Sequence, residues 1–343
     1  MAGPGKISCL APFHQWKHMN IAIKNMALRH DTRSSKRGNF EHPGAFVADC
    51  RFSVGETHMR VFGSSGYYEM RFNEPAPGGI VIKVAFFDID GTLISDRTGH
   101  RIPQDTRDAL IELRRRGVTL AIASGRSPAQ LPPCITGGFP GLEDAFNVYV
   151  TLSGSLCYDA AGVFHETPMR RASKERFCTH VAEGRFDALA LMRDRVISNC
   201  HSEKIAELER LVGTTFPVGD FGRVLEEPCY QFCAFVPPEC DDWVRELMPD
   251  CIIARWSDLF CDVIPVESSK PRGVQATLDH LGLTREEAIA FGDGGNDATM
   301  LEYVGAGVAM GNGTPEAKAA ADYITDDVDK GGIAHALAHF GLI

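Results

Sequence analysis

The sequence predicts an α/β protein whose parallel-sheet core is interrupted by an α+β insert. Three observations predict it. In residues 81–160 and again in 266–343, strand-length apolar runs alternate with helical patterns, the rhythm of right-handed crossovers and a parallel sheet. Four of these runs lead into small or acidic residues: Asp88-Ile89-Asp90-Gly91-Thr92, Ser124-Gly125-Arg126, Ser153-Gly154 and Gly292-Asp293-Gly294-Gly295-Asn296-Asp297. Residues 161–265 follow a different pattern of strands and helices, the size of a small domain.

Residues 1–80 stand apart as an amino-terminal extension outside this core, read as a flexible arm, a small appended domain or sequence upstream of the true start. They carry basic patches, many Gly and Ser and little periodicity, and Met70 is a candidate internal initiator. From Val81 the run through Phe87 is apolar and β-branched, as expected of a strand buried on both faces. Pro103–Arg116 reads as a helix with Pro in its first turn, basic residues in its last and Gly117 as a stop. Val118–Ala123 and Asn147–Leu152 are the next buried strands, and Cys157–Phe164 reads as two short strands around a turn.

In the insert, Ser173 marks a helix start and Ala188–Met192 a strand, followed by helix Ser202–Val212 and strand Tyr230–Val236. Helix Asp241–Met248 and strands Ile252–Trp256 and Phe260–Pro265 complete it. The core then resumes with helix Gly273–Leu281, closed by Gly282, and strand Ala288–Phe291. Helix Ala298–Val304, strand Gly307–Met310, helix Thr314–Ala321, strand Tyr323–Thr325 and helix Gly332–Phe340 follow.

Composition narrows the function. A net charge of −10 and a pI near 5.6 argue against nucleic acid or an anionic membrane as partner, so an anionic substrate needs a local cation. No apolar run approaches the roughly 18 residues that span a bilayer. The 11 cysteines show no zinc-ligand spacing and sit mostly in apolar contexts, as buried thiols in a reducing cytoplasm would.

In open parallel sheets, ligands bind outside the carboxyl ends of the strands, so the fold should gather the four polar ends. The first and last of them bring four carboxylates into one crevice, a cluster that calls for a hard divalent cation, Mg²⁺ above all. With a metal in place, Asp88 can attack phosphorus and form an aspartyl-phosphate. Asp90 can protonate the leaving oxygen and later deprotonate water. Asp293 would bind the metal together with Asp88 and the main-chain carbonyl of Asp90. Asn296 and Asp297 would anchor its waters and orient Lys270. Thr92, Ser124 and backbone N–H groups around Gly91 and Gly125 can hold phosphoryl oxygens, with Lys270 balancing their charge.

Taken in order, Asp88-x-Asp90-Gly-Thr, Ser124-Gly-Arg, Lys270 and Gly292-Asp-Gly-Gly-Asn-Asp297 resemble the four motifs of the haloacid dehalogenase superfamily of phosphohydrolases. An insert between the second and third motifs resembles the Cof-like, type IIB sugar-phosphate phosphatases. The resemblance covers residues 81–343. It implies a Rossmann-like core (81–160 and 266–343), Mg²⁺ as cofactor, and a cap (161–265) that closes over a small phosphorylated metabolite and selects it. A phosphotransferase or mutase using the same intermediate is the nearby alternative; a non-catalytic phospho-ligand sensor is the distant one. Two positions depart from the family pattern. Ser153 stands where many relatives carry Asn, and Lys270 is followed by Pro-Arg-Gly, which makes Arg272 a rival cation. Arg126 is read either as a substrate contact or as half of an ion pair.

Overall fold

A computed structural model describes residues 47–53, 56–63, 66–72, 81–95, 97 and 99–343. The chain divides into two units, 1–80 and 81–343. In the first, β1 (Val47–Ser53), β2 (Glu56–Gly63) and β3 (Gly66–Phe72) form an antiparallel sheet in the order β1-β2-β3. Strands were not expected here. The signal was present as short alternations such as His58-Met59-Arg60-Val61, obscured by the surrounding Gly and Ser. Met70 lies in β3, opposite Met59.

The second unit opens with β4 (Val84–Phe87), all four residues buried, as its unbroken apolar run requires. Helix α1 (Gln104–Arg115) and β5 (Thr119–Ala123) follow, then the short α2 (Pro133–Thr136) and β6 (Val148–Thr151). The hairpin β7 (Leu156–Asp159) and β8 (Gly162–Glu166) pairs antiparallel onto β6. Residues 162–166, expected in the insert, therefore belong to the core sheet.

The next segment holds α3 (Arg171–Ala182), β9 (Asp187–Met192), β10 (Val196–Ser198), α4 (Glu203–Val212) and β11 (Cys229–Phe235). It ends with α5 (Asp241–Leu247), β12 (Cys251–Ser257) and β13 (Phe260–Pro265). Its five strands form an antiparallel sheet in the order β10-β9-β11-β13-β12. Phe177 and Val181 of α3 and Val244 of α5 pack on one face, with Phe232 and Ala234. The opposite face gathers Leu189, Leu191, Tyr230 and Phe235 with Ile205 and Leu208 of α4, and with Leu152 after β6 and Leu156 of β7. Ser173 does not start α3 as expected. Arg170 occupies the N-cap position, and the Ser173 hydroxyl instead donates to Asp250 across the insert.

The core then resumes with α6 (Lys270–Leu281), β14 (Ala288–Gly292), α7 (Ala298–Tyr303), β15 (Ala306–Ala309), α8 (Pro315–Ala320), β16 (Tyr323–Ile324) and α9 (Gly332–His339). Helix α6 begins three residues before the expected Gly273. Ser269 caps it by accepting the Arg272 N–H, and Pro271 sits where a helix needs no N–H.

The core sheet runs β16-β15-β14-β4-β5-β6-β7-β8 and is parallel from β16 to β6. Residues of α1 and α9 cover the face bearing Ala85 and Phe87, while α6, α7 and α8 cover the face bearing Val84 and Phe86. From β4 the chain moves one way to β5 and β6, and later returns to β14 on the other side. The strand order thus reverses at β4, which opens a crevice at its carboxyl end. Phe87 of β4 stacks on Phe291 of β14, with centroids 5.0 Å apart, directly beneath that crevice. Among the described residues, no helix is long and apolar enough to cross a membrane.

Candidate active site

At the end of β4 the backbone turns through Gly91, whose φ of 80° lies in the left-handed region. Glycine is required here for a second reason: a Cβ at this position would stand 2.2 Å from Asp293 Oδ2. The turn presses the first acidic motif against the last.

Asp88, Asp293 and Asp297 each place a carboxylate oxygen within 4.8 Å of the others. Lys270 reaches into this group from the first residue of α6. Its Nζ donates to Asp88 Oδ1 at 2.6 Å and to Asp297 Oδ1 at 2.5 Å, and all three side chains are buried. Arg272 stays exposed two residues on, so the cation that meets the carboxylates is Lys270.

Three carboxylates against one ammonium leave an excess of negative charge in a buried place. Burial, with Asp297 and Asp293 nearby, pushes the Asp88 carboxyl up to about 8, against the opposing pull of Lys270. Burial and Asp297 likewise raise Asp293 to about 6. For Lys270 burial disfavours the charged form, but Asp297 and Asp88 outweigh it and hold the ammonium above its ordinary value. Such a cluster needs protons or a further cation to be at rest.

Oxygen donors of this kind suit a hard divalent ion, and their existing bonds show which remain able to receive one. Asp297 is committed: Oδ1 takes Lys270, and Oδ2 accepts the N–H groups of Asp293 and Gly294 at 3.0 and 2.9 Å. Asp293 is held only loosely, by Thr92 Oγ1 at 3.3 Å and Asn312 Nδ2 at 3.5 Å. Asp88 and Asp293 are therefore the carboxylates able to hold a cation, and Asp297 fixes the loop and the lysine.

Asp90 points elsewhere. Its carboxylate receives a two-pronged contact from Arg126, Nε to Oδ2 and Nη2 to Oδ1, both 2.7 Å. A third guanidinium bond runs from Nη1 to Gln130 O at 3.0 Å. Thr92 is fully buried and spends its hydroxyl on Asp293, and the Gly91 N–H donates to Ile94 O at 2.8 Å. Both donors that the sequence offered to phosphoryl oxygens thus have partners within the protein.

Ser124 is buried at the end of β5, where its Oγ accepts the Arg126 N–H at 3.2 Å. Gly125 lies beside Ser153: a Cβ there would sit 3.4 Å from Ser153 Oγ. Asn296 is exposed, its Oδ1 2.4 Å from where a Gly294 Cβ would be. It lies over that glycine and not on Lys270.

After β6, Leu152, Ser153 and Gly154 all adopt positive φ, of 51°, 54° and 92°. Two such non-glycine residues in a row mark a strained turn. At Gly154 a Cβ would meet Ser269 O at 2.1 Å, and at Gly273 a Cβ would stand 2.9 Å from Gly154 Cα. The end of β6 and the start of α6 are thus in backbone contact. Beside them, Ser155 Oγ donates to Ser268 Oγ at 2.7 Å.

One contributor went unnoticed in the sequence. Asn312, in the loop after β15, donates from Nδ2 to Gly91 O at 2.8 Å, while its Oδ1 accepts the Val328 N–H at 2.9 Å. Gly311-Asn312-Gly313 reads as a plain turn. The signal that would have found it is its position at the carboxyl end of a fifth parallel strand.

The family model for haloacid dehalogenase-like hydrolases matches residues 85–337. YkrA of Bacillus subtilis (strain 168) is 33% identical over 266 residues, covering 76% of this chain and 98% of YkrA. Among solved structures, BT1666 from Bacteroides thetaiotaomicron, described among phosphatases of the HAD superfamily, superposes with a TM-score of 0.69 at 31% identity. The match spans 79% of this chain and 99% of that one. BT4131, a sugar phosphatase of HAD subclass IIB, superposes with a TM-score of 0.66 at 31% identity, over 76% of this chain and 100% of its own.

Proposed function

Because the chain belongs to the haloacid dehalogenase-like hydrolases and is a phosphatase, we propose that Asp88 is its nucleophile and Asp90 its general acid and base. The observation that carries this is the setting of Asp88, which stands at the strand-order reversal with Lys270 Nζ 2.6 Å from one oxygen and Asp293 and Asp297 beside it.

An Asp88 oxygen attacks phosphorus of a phosphate monoester. The P–O bond to the leaving group breaks, and Asp90 gives that oxygen its proton. Water then loses a proton to Asp90 and attacks the aspartyl-phosphate. The bond from phosphorus to Asp88 breaks, inorganic phosphate leaves and the carboxylate is restored. Lys270, held by Asp297, balances the charge gathered on the phosphoryl oxygens, and the Ser124–Gly125 turn contributes donors to them. Thr92 and Asn312 keep Asp293 and the Gly91 turn in register.

We assign Mg²⁺ to the carboxylate cluster, held by Asp88, Asp293 and the main-chain carbonyl of Asp90, with Asn296 and Asp297 at its margin. When bound it would neutralise the approaching phosphoryl oxygens. The likeness to BT4131 supports a sugar phosphate as the substrate, and the insert after β8, residues 167–265, as the cap that selects it.

The test is phosphate release from a panel of sugar phosphates, with and without Mg²⁺. Wild-type protein should release inorganic phosphate only with the metal. Asp88→Asn should release none while keeping its circular dichroism. Turnover by the Asn variant would refute the nucleophile, and isomerised sugar without free phosphate would identify a mutase.

A further inference from the structure

A cavity of about 520 Å³ opens between the turn before α1 and the segment that forms α2, and none of the carboxylates of the active site lines it. Its size is that of a small-molecule pocket. Ile102, Phe139 and Cys134 furnish apolar wall, and Arg101 and Arg107 bring cationic groups to it, with the imidazole of His100 beside them. Among the described residues no Asp or Glu lines it, in a chain whose net charge is −10. Arg107 is half-buried, and no protein acceptor reaches its Nε, which is shielded from solvent. Among the described residues no ion pair or hydrogen bond holds this guanidinium, whereas Arg126, Arg176 and Arg255 nearby in burial are each tied to an aspartate.

An arginine placed against apolar surface without a carboxylate is costly unless an anion completes it. We propose that this cavity is a second ligand site that takes a small organic anion with an apolar body, its carboxylate or phosphate group on Arg107 and Arg101 and its body against Ile102 and Phe139. Two cations favour the anionic end, and the apolar wall excludes a bare hydrated ion. The site does not depend on the assignment of Asp88 or of the metal, since it uses none of those residues.

Cys134 gives a reporter inside the cavity. The full chain, in EDTA, is alkylated with N-ethylmaleimide and the adducts are located by mass spectrometry. Cys200 and Cys240, half-buried elsewhere, serve as references. Benzoate and phenylphosphonate, neither of which is a phosphate ester, should slow labelling of Cys134 about fivefold or more without affecting the references, and benzyl alcohol less than about twofold. Arg107→Met should remove the protection. Should that variant fail to fold, Arg101→Met, at an exposed position, should weaken it at least about threefold. An unprotected Cys134, equal protection by benzyl alcohol, or protection that persists in the folded variant would overturn the site. Inorganic phosphate protecting as well as phenylphosphonate would overturn the apolar half of the proposal.

Discussion

Arg126 holds Asp90 through two parallel hydrogen bonds of 2.7 Å, each guanidinium nitrogen meeting a different carboxylate oxygen. This geometry fixes orientation as well as distance, which a lysine could not do. If Asp90 is the acid and base, Arg126 decides where it waits. Arg126→Met should therefore lower kcat more than it raises KM, by about 10²-fold, the scale of loss when a reacting group is misplaced by an ångström. Arg126→Lys should recover part of that loss. Steady-state kinetics on a sugar phosphate would show it, and an unchanged kcat would free Asp90 from this partner.

Asp88 and Asp293 hold protons more tightly in the folded chain, at about 8 and about 6, than the ordinary value of 3.8. For carboxyls raised in this way, the stabilising contribution is complete below the unfolded value and is lost as pH rises through the folded ones. In EDTA, wild-type protein should thus lose melting temperature relative to Asp88→Asn between about pH 5 and pH 9. Adding Mg²⁺ at the alkaline end should restore it, because the cation replaces the missing protons. A melting-temperature difference that stays flat across that range would contradict the charge excess.

Gly91 is caught between its own backbone and Asp293. Alanine there would have to tolerate a φ of 80° and a Cβ 2.2 Å from a carboxylate oxygen. Gly91→Ala should destabilise the protein by roughly 1–3 kcal/mol in urea unfolding. It should also raise the Mg²⁺ concentration needed for half-maximal activity, since Asp293 must move. Wild-type values in both measurements would rule the contact unimportant.

Every residue assigned to the site lies in the second unit, 81–343. Residues 81–343 produced alone should unfold cooperatively and keep kcat/KM within about twofold of the full chain. Loss of folding would make the first unit a structural partner of the second.

Much of the core could be read from residues alone because its signals are local. An unbroken apolar run such as Val84–Phe87 has few alternatives to a buried strand, and a strand ending in two aspartates declares which end faces the ligand. The four polar ends met as the rule for parallel sheets requires. What could not be read depends on contacts distant in sequence. Nothing in Arg126 announces that it will pair with Asp90, or in Thr92 that its hydroxyl will turn to Asp293. The five-stranded sheet places β11 between β9 and β13, an order that no single segment encodes. The early start of α6 was missed for a different reason. The helix start was expected at Gly273, although Ser269 and Pro271 together mark one three residues earlier.

The contact between Gly154 and Ser269 has a consequence for how this enzyme can vary. Lys270 owes its position to two stretches of main chain in touch, with no side chain between them. Its neighbours can be exchanged, and its charge environment retuned, without shifting the point from which its arm extends. Even a single methyl group added at residue 154 or 273 would act as a wedge. It would drive the first turn of α6 away from β6 and draw the ammonium off Asp88. Drift in the sequence can thus reshape what this site recognises far more readily than it can relocate the charge that serves it.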